Sequence, residues 1–142
     1  MRKLFVLLVA LACTNKPVVE HSQKRRQVAL NEALPVVRVL RQAERIRDRL
    51  RYFAEEIKTT YKPEKQRALL ADVQKTVTPA CEEIEKVLAE AGSFAEREQA
   101  VAMQQVCRRL DDTLTKRNLD ELKPLFREFN VAMARLQKAA QP

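Results

Sequence analysis

Glycine is nearly missing from this chain: there is one, Gly92, among 142 residues, with six prolines and no tryptophan. So few turn formers cannot supply the many tight connections of a β-sandwich or barrel, and they leave no glycine-rich loop to cradle a phosphate. Histidine is almost as scarce. His21, the one histidine, lies in a polar stretch near the N-terminus, so a Ser-His or Cys-His nucleophile has no base in the body of the chain. Carboxylate metal sites in helical bundles use Glu-x-x-His pairs, and these are absent too. Neither a CxxC nor a CxxCH spacing occurs, which removes a thioredoxin-type redox couple and covalent haem attachment. Met103 and Met133 fall at core spacing and read as packing residues rather than axial ligands. The expectation is a protein that is not an enzyme and carries no cofactor and no metal.

What is present points to helices. Apolar residues make up 46% and charged residues 32%, with Ala, Leu, Glu, Arg, Lys and Gln prominent, the composition of amphipathic helices. The length suits one domain with one buried core. Lys and Arg number 27 against 19 Asp and Glu, a balance that by itself suggests nucleic acid. The first dozen residues argue otherwise.

Met1-Arg2-Lys3 is followed by the uncharged run Leu4 to Ala12 and then by Cys13-Thr14-Asn15-Lys16-Pro17. A basic start, a short apolar stretch and a small-residue exit form a secretory signal. The run is far short of the about 20 residues needed to span a bilayer as a helix. Two processing routes fit. Ala10-Leu11-Ala12 has the small residues an ordinary signal peptidase requires. The same segment resembles the lipobox of bacterial lipoprotein precursors, with Ala10 where that motif commonly carries Leu. The resemblance covers only the first thirteen or so residues, and it implies that Cys13 is diacylated and becomes the mature N-terminus. Either route makes the protein exported, with the bacterial periplasm or cell envelope favoured over full secretion, and nucleic acid is not expected as a partner.

Three cysteines, Cys13, Cys81 and Cys107, make an odd count that an exported protein must explain. A lipid on Cys13 leaves Cys81 and Cys107 to pair, as an oxidising compartment favours. In a reducing compartment the two would be buried thiols acting as small hydrophobes.

The chain divides into a signal over 1–12, a polar tether over 13–22 and a four-helix bundle over 23–140. In the first helix Val39, Ala43, Ile46, Leu50, Phe53 and Ile57 return to one face at spacings of four and three. Pro35 starts or kinks it, preceded by a weaker helical turn carrying Val28, Leu30 and Leu34. Pro63 opens the second helix, whose seam is Leu70, Val73, Val77, Ala80, Ile84, Val87 and Ala91. A kink is expected at Thr78-Pro79, with Glu82 and Glu83 as the acids of a renewed helix start. Gly92 should close that helix with a left-handed cap. Ser93 to Glu96 reads as a capping box for the third helix and Asn118 to Glu121 as its counterpart for the fourth. Met103, Val106, Leu110 and Leu114 face inward from the third helix, and Leu122, Phe126, Phe129, Met133 and Leu136 from the fourth. Connections of a few residues force neighbours antiparallel, so the fold class is all-α, an up-down-up-down bundle with coiled-coil-like packing. In that arrangement Cys81 and Cys107 lie at similar heights either side of Gly92, and a bridge between them would contribute roughly 3 kcal/mol.

Charge is unevenly spread. Residues 13–62 hold 12 basic and 6 acidic residues, whereas residues 63–142 hold 13 of each. On a helical wheel Arg38, Arg41, Arg45 and Arg49 cluster away from the first helix's apolar seam, with Tyr52 beside them. Glu44, Asp48, Glu55 and Glu56 partly compensate this face, which is either solvated or turned to an anion. Arginine favours bidentate pairing with carboxylate or phosphate, and a basic segment beside a lipid anchor is the second signal that makes anchoring stable. The expected function is an exported, membrane-tethered binding protein that works as an adaptor, chaperone or assembly factor of the cell envelope. Its partner would be a protein or an anionic envelope surface. The alternative is a soluble secreted carrier holding a lipid or other apolar ligand in a cavity lined by Val77, Met103, Phe126 and Phe129.

Overall fold

The apolar stripes do what their spacing requires, each winding to one side of its own helix. A computed structural model of the chain describes residues 34–142. It contains α1 (Pro35–Ile57), α2 (Pro63–Ala91), α3 (Arg97–Lys116) and α4 (Leu119–Ala139), with no strand among the described residues. The secretion signal, the tether with Cys13 and His21, and the turn carrying Val28 and Leu30 lie outside the described residues. Each helix packs against the next, and α4 returns against α1, over a shorter contact than α1 makes with α2.

One core serves all four helices. Val39, Ile46, Val73, Val77, Ile84, Met103, Leu110, Phe129 and Leu136 have no accessible surface. The stripe residues at the ends or edges differ. Ile57, Val106 and Phe126 are only partly buried, and Leu125 is buried beside Leu122 and Phe129. Contacts between neighbours run in opposite numerical order. Arg38 reaches Glu83 and Arg49 reaches Asp72, while Gln74, Thr78 and Glu85 of α2 bond Thr115, Asp111 and Arg108 of α3.

The helix ends show how local chemistry sets the limits. Pro35 is the first residue of α1, where its missing N–H costs nothing and its fixed φ is already helical. At the other end the hydroxyls of Thr59 and Thr60 donate to the Glu56 carbonyl at 3.2 and 2.9 Å, adding to the Thr59 N–H at an acceptor in the last helical turn. Pro63 then begins α2 after an extended Lys62.

α2 runs from Pro63 to Ala91 with Pro79 inside it. The renewed helix start expected after Thr78-Pro79 is therefore not there, and Glu82 and Glu83 are interior residues of one long helix. The physical reason is lateral support. An interior proline costs about 3 kcal/mol, yet this one points its ring to solvent. Its neighbours hold to both sides: the Thr78 hydroxyl donates to Asp111 of α3 at 2.5 Å, and Ala80 and Cys81 are buried in the core.

Two cap expectations change as well. Gly92 has the positive φ expected of it, 63°, but a ψ of −130° takes it out of the left-handed helical region. The Ser93–Glu96 box does not form. α3 begins at Arg97 with no side-chain cap bond, because Arg97 is used elsewhere: its guanidinium donates to the carbonyls of Leu88 at 2.9 Å and Gly92 at 2.6 Å. The segment thus closes the C-terminus of α2, where a cation is favoured by the helix dipole, and Phe94 packs on the core.

The next corner is tighter. Arg117 adopts φ 56°, ψ 35°, its N–H bonds the Leu114 carbonyl and that of Asn118 bonds the Thr113 carbonyl, both at 3.2 Å. This pair of bonds is a Schellman closure. Asn118 also opens α4, its side-chain oxygen accepting from the Glu121 N–H at 3.4 Å, as expected from the sequence.

The two positive-φ positions among the described residues respond oppositely to substitution. A Cβ at Gly92 would meet nothing within 4 Å, so Gly92→Ala should lose about 1–3 kcal/mol through backbone strain alone. Arg117→Gly should gain up to about 1 kcal/mol by relieving a left-handed non-glycine. Urea midpoints measure both, and a shift of the same sign in the two variants would contradict the assignment.

Candidate functional site

The basic face of α1 is built by residues at the edge of the apolar stripe rather than opposite it. Taking Ile46 as the centre, Arg38, Arg45 and Arg49 lie between about 60° and 100° to one side at about 100° per residue. That is the side on which α2 docks. Arg38 pairs with Glu83 at 2.9 Å and reaches Glu90 at 3.8 Å, its side chain one-third exposed. Arg49 pairs with Asp72 and is 19% exposed. Arg47, on the opposite edge, bonds Asp48 at 3.3 Å and places its guanidinium 4.0 Å from the Met133 sulfur of α4. Arg41, Arg45 and Arg51 are exposed.

Tyr52 stays with the cluster. The Arg49 guanidinium carbon stands 5.1 Å from the centre of its ring, a cation–π contact. The Glu56 carboxylate accepts the phenol hydrogen bond and, by its charge, opposes phenolate formation, so the Tyr52 pKa is raised above its ordinary 10.0. The four arginines and Tyr52 thus share one flank, but Arg38 and Arg49 are engaged by acids of α2. Arg41 and Arg45 of this flank are solvent-exposed, as is Arg51 on the far side of the helix.

The sulfur atoms of Cys81 and Cys107 are at disulfide distance, with Cα atoms 5.7 Å apart. Both residues are buried, at 7% and 0% exposure. The level matching expected on either side of Gly92 therefore holds in space.

The cavity expected for a carrier takes a different form. Val77, Met103 and Phe129 are sealed in the core, whereas Phe126 lines a surface groove of about 530 Å³ between the C-terminal half of α1 and the start of α4. Leu50, Phe53 and Leu122 form its floor, and Ile57, Leu119 and Phe126 its walls. Lys58, Lys123 and Arg127 border it and no carboxylate does. Sequence reasoning placed Phe126 in the core and read Leu119 only as part of a cap. The signal available was Lys123 and Arg127, each directly after a stripe residue (Leu122 and Phe126) and four apart on one helix edge.

No helix among the described residues is long and apolar enough to cross a membrane. Among those residues no group of three His, Cys, Asp or Glu side chains is arranged to hold a metal ion. No protein-family model, curated protein or solved structure matches this chain.

Two measurements probe the flank. A double-mutant cycle on Arg49 and Asp72 should give a coupling of about 0.5–1 kcal/mol, discounted for the exposure of the aspartate, and it should shrink at about 1 M salt. Spectrophotometric titration should show the Tyr52 phenol ionising above its ordinary range. Glu56→Gln should bring that step to lower pH, since it removes both the carboxylate acceptor and the like charge.

Proposed function

We propose that the chain is an exported, membrane-tethered up-down-up-down bundle that acts by binding a protein partner at the cell envelope, as an adaptor, chaperone or assembly factor. The observation that carries this reading is the buried Cys81–Cys107 pair at disulfide distance. Such a pair is stable in an oxidising compartment, and it accounts for two of three cysteines, leaving Cys13 as the residue that a lipobox-like segment would present for acylation. The antiparallel order rests on the contacts between α1 and α2 and between α2 and α3, whose partners descend as the first helix ascends.

The tether would attach the bundle at the end nearest α1. Arg41 and Arg45, exposed on the flank that carries Tyr52, then supply basic surface on the helix nearest in sequence to the tether. Juxtamembrane basic residues each contribute about 1 kcal/mol of attraction to an anionic leaflet, and at a protein interface arginine and tyrosine are the side chains that most often dominate binding. The role is binding rather than catalysis: the flank offers charge, a phenol and bidentate donors, with no nucleophile–base pair among them.

Intact-mass analysis of material made in a bacterial host tests the tether. The expected species begins at Cys13, carries an added diacylglycerol-sized mass and gains a pair of hydrogens on reduction. An unmodified chain starting at another residue would overturn the lipoprotein reading. Opening the 26-residue span between the cysteines, by reduction or by Cys81→Ser with Cys107→Ser, should cost about 3.5 kcal/mol on the chain-entropy account. Denaturant unfolding with and without reductant measures this, and coincident curves would remove the bridge from the proposal.

A further inference from the structure

We infer that the groove between α1 and α4 is a binding site for a free long-chain carboxylate, a fatty acid taken up as a single molecule. This goes beyond the proposed partner-binding role and does not depend on how the chain is anchored. The first ground is shape. α1 and α4 meet over a shorter contact than α1 and α2, and the groove sits where α1 ends and α4 begins. Lining residues run from Leu50 to Lys58 and from Leu119 to Asn130, lengths of about 12 and about 17 Å at the helical rise. At carbon–carbon bonds of about 1.5 Å, an extended dodecanoate chain of about 14 Å falls between those two wall lengths. The groove volume of about 530 Å³ is also within the about 300–1,000 Å³ of small-molecule sites.

The second ground is the partition of chemistry. Leu50 and Phe53 are 2% and 4% exposed and Leu122 is 6%, so the floor is firm and apolar, formed by residues already fixed in the core. Ile57, Leu119 and Phe126 are partly exposed walls that a ligand would cover. Burial of an acyl chain contributes up to about 0.8 kcal/mol for each methylene. The charged groups at the rim are all cations, with the Asn130 amide as the other polar side chain. Lys123 and Arg127 stand one turn apart on α4 and make no ion pair among the described residues, and Lys58 is held only by the exposed Glu55 at 3.1 Å. An apolar trough edged by three cations and no carboxylate is complementary to an amphiphile with an anionic end. Arg127 can take a carboxylate through two parallel N–H donors.

Three features set a fatty acid ahead of a macromolecular occupant. The floor is short, no more than two to three turns of either helix, and the walls end where the chain turns away at residues 58–62 and begins at Asn118. The exposed rim is small and carries single apolar residues, well below the extended patch that marks protein docking faces. The rim charge is of one sign, three cations and no carboxylate, with Lys123 and Arg127 one helical turn apart, enough for one anionic head group.

The test is titration of the purified full chain with dodecanoate below its micelle concentration, followed by calorimetry and by amide and methyl NMR. The expected result is saturable one-to-one binding, with shifts centred on Leu50, Ile57, Leu119, Leu122 and Phe126. Decanoate should bind between about threefold and tenfold more weakly, from the loss of partly buried methylenes. Dodecyltrimethylammonium, with the same tail and opposite charge, should bind at least about tenfold more weakly than dodecanoate. The double variant Lys123→Glu with Arg127→Glu should abolish that preference. Both side chains are exposed, so its unfolding curve should match the parent. Phe126→Trp, which fills the trough while keeping an aromatic wall, should weaken dodecanoate with the fold intact. Absence of saturation, equal binding of both detergents, or shifts confined elsewhere would each overturn the site. So would ligand-free dimerisation that moves the same resonances, which would assign the groove to a second copy. Binding to anionic vesicles that dodecanoate does not compete away, with shifts at the groove, would assign it to a bilayer surface and equally overturn it.

Discussion

Because α2 must satisfy neighbours on both sides while burying its own stripe, its sequence is divided into three parallel tracks, and the positions of the other helices follow from them. Leu70, Val73, Val77, Ala80, Ile84 and Val87 form the buried track. About 100° to one side, at the helical angle per residue, lie Gln74, Thr78, Cys81 and Glu85, all of which contact α3. About the same distance to the other side lie Asp72, Glu83 and Glu90, which reach the arginines of α1. The apolar track supplies most of the driving force, since it alone removes large hydrophobic area from water. The polar tracks choose which neighbour sits on which side. Swapping α1 and α3 across α2 would set Asp111 against Asp72, Glu83 and Glu90, and would leave the arginines of α1 facing a track whose one carboxylate among these residues is Glu85.

This division explains why the basic face of α1 looks different alone and in the fold. On its own wheel the face is a cationic surface, and the wheel carries no information about where α2 will dock. Once Asp72, Glu83 and Glu90 are brought alongside, half of that surface becomes the fastening between two helices. Exposed ion pairs of this kind add little stability each, but like charges in their place would be repelled. Their value lies in orientation. The arginines of that face exposed to solvent, Arg41 and Arg45, are fewer than the sequence total suggests.

The helices and their buried faces were legible because periodicity is a property of each segment by itself. Val39 to Phe53 and Leu70 to Val87 needed no tertiary information, and neither did Pro35, Pro63 or Asn118 as helix starts. The errors arose where a long-range contact outweighed a local rule. Pro79 breaks helices in isolation, but α1 and α3 grip the turns around it. Ser93 and Glu96 had the residues of a capping box, but Arg97 was drawn to the end of α2. Phe126 had core spacing, but α4 meets α1 too briefly to cover it. The groove could not be read from either helix alone, since its floor belongs to α1 and α4 together.

Asn118 is at once the last residue of one helix closure and the first of the next, so α3 and α4 share a joint with no spare chain. Rotation of either helix about its axis must therefore pass into the other. An extra residue there would turn α4 by about 100°, carrying Leu122 and Phe129 out of the interior. The link from Lys58 to Lys62 can absorb such a change by rearranging its turn. The molecule thus has a stiff corner and a compliant one, and the groove lies beside both, one wall of it set by the joint that cannot yield.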